Sequence, residues 1–385
     1  MKPLISRLKP YYNSKEFIAA VLPTIGNIES FEMEFAEKFE CKSGIMFPYG
    51  RSGLYSLFKI WQLSNDEIIC PAYTCVVVAH AIVLSGNIPV FVDCEEGSFN
   101  MSYAGIRNVI TEKTRAIVVT HLFGYPMDVG MINKIVEEAE EKYGNKIYII
   151  QDVAHAFGAK WNGEMVTKYG DASIFGLNIS KIINSIFGGM VITNDDVIYK
   201  KLIEYRNNNF PKQNVSRSLK RFIYLVSVYI AFNKFIYTLV NWLENKGFLD
   251  RFVKYYDESV IDFPCDWNYY PVEIEARVGL VQLRKYDEII QKRTSKSIKY
   301  AEYFKNDDRI KLVPLSEGAT CSHFVGLVSD RDKWIAEYRE RGIQLGTIID
   351  YSVPYMSAYE KYRRGEYPVS RFYSEHIINF PNWPE

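Results

Sequence analysis

Between residues 50 and 195, short and almost continuously apolar runs alternate with longer segments whose apolar positions recur every three or four residues. The short runs fall at 67–70, 88–93, 115–120, 147–151, 172–177 and 189–193. They have strand length and are rich in Ile and Val. Segments of helical length, including 51–63, 74–85 and 127–142, precede or separate the first four. Strands that are apolar throughout are buried on both faces. The alternation therefore predicts an α/β fold with a mostly parallel sheet between two helical layers. In such folds ligands sit at the carboxyl ends of the strands.

Beyond residue 195 the pattern changes. A helix is predicted over 195–207, a polar loop over 207–217, a helix over 272–305, strands around 310–328, a helix over 331–341 and then a tail rich in Tyr and Pro. This divides the chain into a large domain over 1–260 and a smaller α+β domain over 261–385. The large part carries an apolar helical insertion at about 214–250. Within it, FIYLVSVYIAFNKFIYTLVNWL at 222–243 is long enough to suggest a membrane span. Asn233 and Lys234 lie at its centre, however, and a mid-membrane Lys costs about 2.5–3.5 kcal/mol. Ser227, Lys234, Thr238, Asn241 and Asn245 form one narrow polar stripe on a helix. The segment reads first as a helix packed on the body or on a partner subunit, and second as peripheral membrane contact.

Composition adds little to this picture and removes several classes. Lys plus Arg equals Asp plus Glu at 46 each, so no global charge draws the chain to nucleic acid. The six cysteines make no CxxC pair, and the five histidines do not join them at zinc spacing, so no metal site is expected. The first residues lack the apolar stretch of a signal peptide. A reduced, cytoplasmic protein is expected, at the inner face of the membrane if 222–243 touches lipid.

The chemistry narrows by exclusion. There is no GxGxxG after the first strand, no GxxxxGK[ST], no GxSxG and no HExxH. Lys181 stands out because it lies between two strand-like runs, just before Gly188 and Gly189, near the sheet rather than on an exposed helix. A desolvated lysine is a free amine that can attack a carbonyl carbon. Taken alone it would be an ordinary loop lysine. Asp152 ends the strand IYIIQD, so its carboxylate belongs to a carboxyl edge, although an Asp there also caps helices. His155 follows three residues later. Gly50-Arg51-Ser52-Gly53 opens a helical segment, where backbone amides and the helix dipole favour an anion.

The ordered set GRSGL (50–54), DEIICPAYTCVVVAHAI (66–82), PVFVDCEEGSFN (89–100), THLFGYPMDV (120–129), QDVAHAFGA (151–159) and SKIINSIFGGMVITND (180–195) resembles the DegT-type sugar aminotransferases. These are fold-type I, aspartate-aminotransferase-like pyridoxal-phosphate enzymes. The likeness continues through 268–289 and 342–356 and so spans nearly the whole chain. It implies a three-layer large domain and a smaller C-terminal domain. Lys181 matches the catalytic lysine that holds pyridoxal 5'-phosphate as a Schiff base and moves the proton. Asp152 matches the partner of the ring nitrogen, and His155 a residue beside the ring. Gly50, Arg51 and Ser52 match the stretch that holds the phosphate. Cys75 stands where an aromatic residue commonly packs on the cofactor. Asn268 matches a residue that reaches the neighbouring subunit's phosphate, which implies a homodimer with shared active sites.

The resemblance also implies the reaction. An amino donor, expected to be L-glutamate, would aminate the cofactor, which would then aminate a keto-sugar or nucleotide-linked keto-sugar in glycan or lipopolysaccharide biosynthesis. Besides Cys75, two positions depart from the family pattern: Gly176 replaces a phosphate-binding Ser, and Tyr270 replaces an Arg suited to the donor carboxylate. They keep two alternatives in view, a sugar dehydratase on the same scaffold and a membrane-associated homologue that has lost turnover.

Overall fold

The computed structural model describes residues 3–23, 26–212, 215–246 and 257–384. The core is a seven-stranded sheet in the order β1-β9-β8-β5-β4-β2-β3. Its strands are β1 (Ser43–Phe47), β2 (Glu67–Pro71), β3 (Ile88–Val92), β4 (Thr114–Thr120), β5 (Tyr148–Asp152), β8 (Ala172–Gly176) and β9 (Gly189–Thr193). All run in one direction except β9, which is antiparallel to both neighbours. A small hairpin, β6 (Lys160–Trp161) with β7 (Glu164–Met165), lies between β5 and β8 in sequence.

Both faces of the sheet are covered, as the apolar runs require. Ile68, Cys70, Phe91, Ala116, Val118 and Ile150 pack on one side, with residues of the Gly50–Ile60, Val77–Leu84 and Asp196–Asn209 helices. Ile69, Val90, Val92, Ile117, Val119 and Ile149 pack on the other, with the Tyr103–Val109 and Val129–Tyr143 helices. This is the three-layer arrangement expected. A second, antiparallel sheet, β10 (Ile310–Lys311), β11 (Phe324–Val328) and β12 (Ile377–Phe380), forms the smaller body with the Tyr286–Phe304 and Arg331–Glu340 helices. The N-terminal segment joins it, since Ile5 bridges to Ile343 and Trp383 Nε1 donates to the Ser6 carbonyl.

Four expectations are corrected. The helix read over 272–305 is two, Glu273–Arg284 and Tyr286–Phe304, parted at Lys285, whose ammonium is buried against Glu16 Oε1 at 2.5 Å. The polar loop read over 207–217 is shorter, because helices run to Asn209 and resume at Val215. The tail holds the Pro368–His376 helix and β12. The continuous apolar helix over 222–243 is two helices, Val215–Ala231 and Lys234–Asn245, bent by 107° where Asn233 accepts from the Phe235 amide and caps the second. No single helix among the described residues is long and apolar enough to cross a membrane. The expected edges of the insertion at about 214 and 250 fall outside the described residues.

Candidate active site

A cavity of about 770 Å³ opens where β2, β4, β5 and β8 end, closed from the far side by the smaller body and the N-terminal segment. Its wall brings together Gly50, Arg51, Cys75, Asp152, His155 and Lys181, six of the residues singled out in the sequence. Each arrives through local backbone chemistry. Asp152 is the last residue of β5 and sits opposite Thr120 in the β4 register. Its carboxylate accepts from the Ala154 amide at 3.1 Å and from Thr120 Oγ1 at 3.3 Å. Among the described residues it has no ion pair, although it is 95% buried (5% exposed). Burial raises its pKa, opposed by the Ala154 amide, Lys181 and Thr120.

Lys181 sits on a loop that Asn178 organises, accepting from the Ser180 amide and hydroxyl through its side chain and from the Lys181 amide through its carbonyl. Leu177 closes the base of the loop by donating to Gly188 and accepting from Ser185. Ile186, with φ of 72°, holds a left-handed conformation that costs a β-branched residue about 1–3 kcal/mol. It persists because its side chain is fully buried with Leu225, Val272, Ile274 and Val278. The loop is thus held in part by the insertion, and Arg221 also lies over the Phe187 ring at 4.1 Å. The Lys181 amine faces the cavity and makes no hydrogen bond or ion pair among the described residues. Burial lowers its pKa, opposed by Cys75 and Asp152, which favours the uncharged amine.

His155 stacks on Phe123 (centroids 5.8 Å, 18°), and its Nδ1 is buried without a partner. His323, just before β11, lies 4.9 Å from it, ring centre to ring centre. Burial first, then Lys181 and His323, holds His155 well below the usual imidazole range. Burial, Arg293 and Lys181 do the same for His323. Burial thus favours the neutral form of both rings. His323 was not foreseen, because it comes from the smaller body with no local motif to mark it.

At the other end of the cavity the Gly50–Ile60 helix begins. Gly50 and Gly189 let three backbones meet there. A Cβ on Gly50 would lie 2.9 Å from the Phe175 carbonyl oxygen, and one on Gly189 would lie 2.2 Å from the Gly50 nitrogen. Arg51 points into the cavity. Ser52 does not line it: its hydroxyl donates to the Trp267 carbonyl at 2.5 Å and its amide to the Tyr49 carbonyl. Asn268 lies in the turn beside Trp267, half-buried and away from this cavity. That turn is fixed by Asp266, which accepts from Tyr49 Oη and Arg221.

The site therefore offers an amine whose uncharged form burial favours, a buried carboxylate with no ion pair among the described residues, and a helix N-terminus beside a guanidinium. These complement a ligand carrying an electrophilic carbon, a cationic nitrogen and an anion. Pyridoxal phosphate has all three, in its aldehyde, its protonated ring and its phosphate, so the residues present fit it.

Comparison with known proteins agrees with this. The sequence profile of the DegT/DnrJ/EryC1/StrS aminotransferase family matches residues 21–385. GDP-perosamine synthase of Escherichia coli O157:H7 is 27% identical over 365 residues, covering 93% of this chain and 85% of the relative. GDP-4-keto-6-deoxy-D-mannose 3-dehydratase of Yersinia pseudotuberculosis is 26% identical over 293 residues, covering 74% of this chain and 66% of the relative. Spr1654 of Streptococcus pneumoniae, described as a sugar aminotransferase and solved in a PLP form, superposes with a TM-score of 0.73 at 21% identity, over 99% of this chain and 94% of that one.

Proposed function

Because the chain belongs to the DegT/DnrJ/EryC1/StrS aminotransferase family, whose members are pyridoxal-phosphate-dependent sugar aminotransferases, we propose that it carries an amino group from L-glutamate to a keto-sugar or nucleotide-linked keto-sugar in glycan or lipopolysaccharide biosynthesis. The observation that carries the reading is the unpartnered Lys181 amine facing Asp152 across one cavity. The amino acid leaves as its 2-oxo acid, and the sugar exchanges a carbonyl oxygen for an amino group. The bound cofactor supplies an electron sink for the carbanion formed at the substrate carbon.

The chain's residues divide the remaining work. Lys181 Nζ would hold the cofactor through its aldehyde carbon and would move the proton at the substrate carbon. Asp152 would keep a proton on the ring nitrogen, and the cationic ring would in turn stabilise the carboxylate that burial disfavours. His155, stacked on Phe123, would orient the ring, and Gly50 and Arg51 would hold the phosphate. His323, Arg7 and the 347–351 stretch line the same cavity and would face the substrate.

A homodimer is part of this reading. The turn carrying Asn268 lies outside this chain's own cavity, which suits a residue that serves a partner's phosphate. The insertion supports peripheral membrane contact as well. Its second helix turns polar groups toward the body: Thr238 Oγ1 accepts from the Leu4 amide, Asn241 Oδ1 from Arg339, and Tyr237 Oη donates to Gln344. Leu219, Ile223, Leu239 and Trp242 are left exposed. Its one acid between 215 and 246, Glu244, is paired with Arg7. An apolar, net basic outer face suits an anionic lipid surface.

The dehydratase relative keeps one second reading in view. Product analysis separates the two. With L-glutamate and a 4-keto nucleotide sugar, an aminated sugar and one equivalent of 2-oxoglutarate are expected. A deoxy-sugar lacking nitrogen would replace the aminotransferase reading with the dehydratase one.

A further inference from the structure

The charged end of the cavity is built differently from the rest of it. Arg51 is the second residue of an eleven-residue helix whose N-terminus opens on the cavity. Its guanidinium makes no hydrogen bond or ion pair among the described residues, and its nearest ring contact is Tyr49 at 5.8 Å. Burial lowers its pKa, and the groups that oppose this are Cys75, Tyr49, Asp262 and Tyr351, of which only Asp262 is a carboxylate. Near it His80 is buried, and burial and Arg51 push it down to about 4 against the opposing effect of Asp262, so the imidazole supplies no negative charge to Arg51. Across the helix start stands Gly176, which has no hydroxyl to offer. A Cβ there would meet nothing closer than Lys181 Cε at 3.4 Å.

A half-buried guanidinium on a cavity wall, with five N–H donors and no hydrogen bond or ion pair among the described residues, suits an anion. The geometry points to the phosphate of the cofactor as that anion, held by the Arg51 guanidinium in an ion pair that takes the place of a hydroxyl at position 176. The guanidinium fork matches two phosphate oxygens at once, and the helix dipole adds to it with the same sign. This rests on the pyridoxal-phosphate reading above and adds to it a single side chain that carries the phosphate's charge.

The test compares ligands that differ only in the phosphate. Apo full-length protein, wild type and the variants Arg51→Lys and Arg51→Ala, is titrated with pyridoxal phosphate and with pyridoxal, following the visible absorption band. Thermal unfolding is recorded with and without inorganic phosphate. Wild type binding pyridoxal phosphate establishes the underlying reading before any variant is compared. Arg51→Ala is then expected to bind pyridoxal phosphate about 10- to 100-fold more weakly, with pyridoxal unchanged. Arg51→Lys should fall between, and phosphate should raise the melting temperature of wild type but not of Arg51→Ala. Equal pyridoxal-phosphate affinity in wild type and Arg51→Ala would overturn the inference, leaving the backbone amides to hold the phosphate. Parallel loss of both ligands would overturn it too, since Arg51 would then act through packing. If Arg51→Ala does not fold, Arg51→Gln, of similar length and uncharged, carries the same comparison.

Discussion

Gly189 and Gly176 flank the same site, and adding one methyl group to each should have opposite consequences. At Gly189 a Cβ would lie 2.2 Å from the Gly50 nitrogen, 2.3 Å from the Tyr49 carbonyl carbon and 2.5 Å from the Gly50 Cα. Comfortable contacts between heavy atoms are about 3.5–4.0 Å, so the overlap exceeds 1 Å and falls on backbone that no rotamer change can move. Either β9 or the start of the Gly50–Ile60 helix must shift by about 1 Å. Overpacking of this kind costs about 3 kcal/mol or more. At roughly 2 °C per kcal/mol, suited to a chain of this size, Gly189→Ala should melt about 6 °C lower. The displacement also moves the amides and Arg51, so pyridoxal-phosphate affinity should fall. At Gly176 the nearest atoms are Lys181 Cε at 3.4 Å and Ala154 Cβ at 3.9 Å, which are ordinary contacts, and Gly176→Ala should melt within about 1 °C of wild type. Differential scanning fluorimetry and a cofactor titration read both effects. A Gly189→Ala protein that melts and binds like wild type, or a Gly176→Ala protein that is the more damaged, would refute this account of how the three backbones meet.

Other consequences follow from buried charges and from the insertion. His121 accepts from the Met127 amide through Nδ1 and meets Gln151 Oε1 through Nε2, both at 2.9 Å, a pattern only the neutral ring satisfies, and burial pushes its pKa down to about 4. Its unfolded value is about 6.5, so its contribution of about 3 kcal/mol is complete above that pH and is lost as pH falls toward 4. Urea unfolding of His121→Gln should therefore depend less on pH across this window than wild type, and identical slopes would contradict it. Arg206 is buried against Glu32 and donates to the Met46 carbonyl at 2.8 Å. Arg206→Ala leaves the carboxylate without its cation and should cost about 3–5 kcal/mol in urea unfolding, most of it recovered in Arg206→Met/Glu32→Gln; a single-variant cost below about 1 kcal/mol would show that the pair is not buried in solution. Leu239→Glu and Trp242→Glu change exposed positions, so melting should hold while co-sedimentation with anionic liposomes is lost. Unchanged co-sedimentation would remove the lipid contact.

Much of this was legible in the sequence, for a physical reason. Six strands of the main sheet lie within a residue or two of where the apolar runs predict them, because burial on both faces leaves little room for polar residues. Asp152 was recognisable because it ends a strand, where the backbone decides the direction of the side chain, and Lys181 because its loop joins two strands of the sheet. What was missed depends on distant partners. β1 (SGIMF) precedes the alternating region and pairs with β9 across almost 150 residues of chain. The break at Lys285 has no Gly or Pro to mark it and is fixed by Glu16. Arg221, just ahead of the apolar run, is buried between Glu275 and Asp266, which lie far from it in sequence. Ser52 reads as a phosphate ligand from its motif, yet its hydroxyl is spent on Trp267, a contact no local pattern reveals.

The most direct test of the central claim is the absorption spectrum of the purified, cofactor-loaded protein before and after L-glutamate is added. The account predicts a visible band that glutamate bleaches toward the near-ultraviolet, with 2-oxoglutarate released, and that is absent in a folded Lys181→Ala protein. A wild-type protein that shows no visible band after incubation with pyridoxal phosphate, or a Lys181→Ala protein that keeps the band, would contradict it.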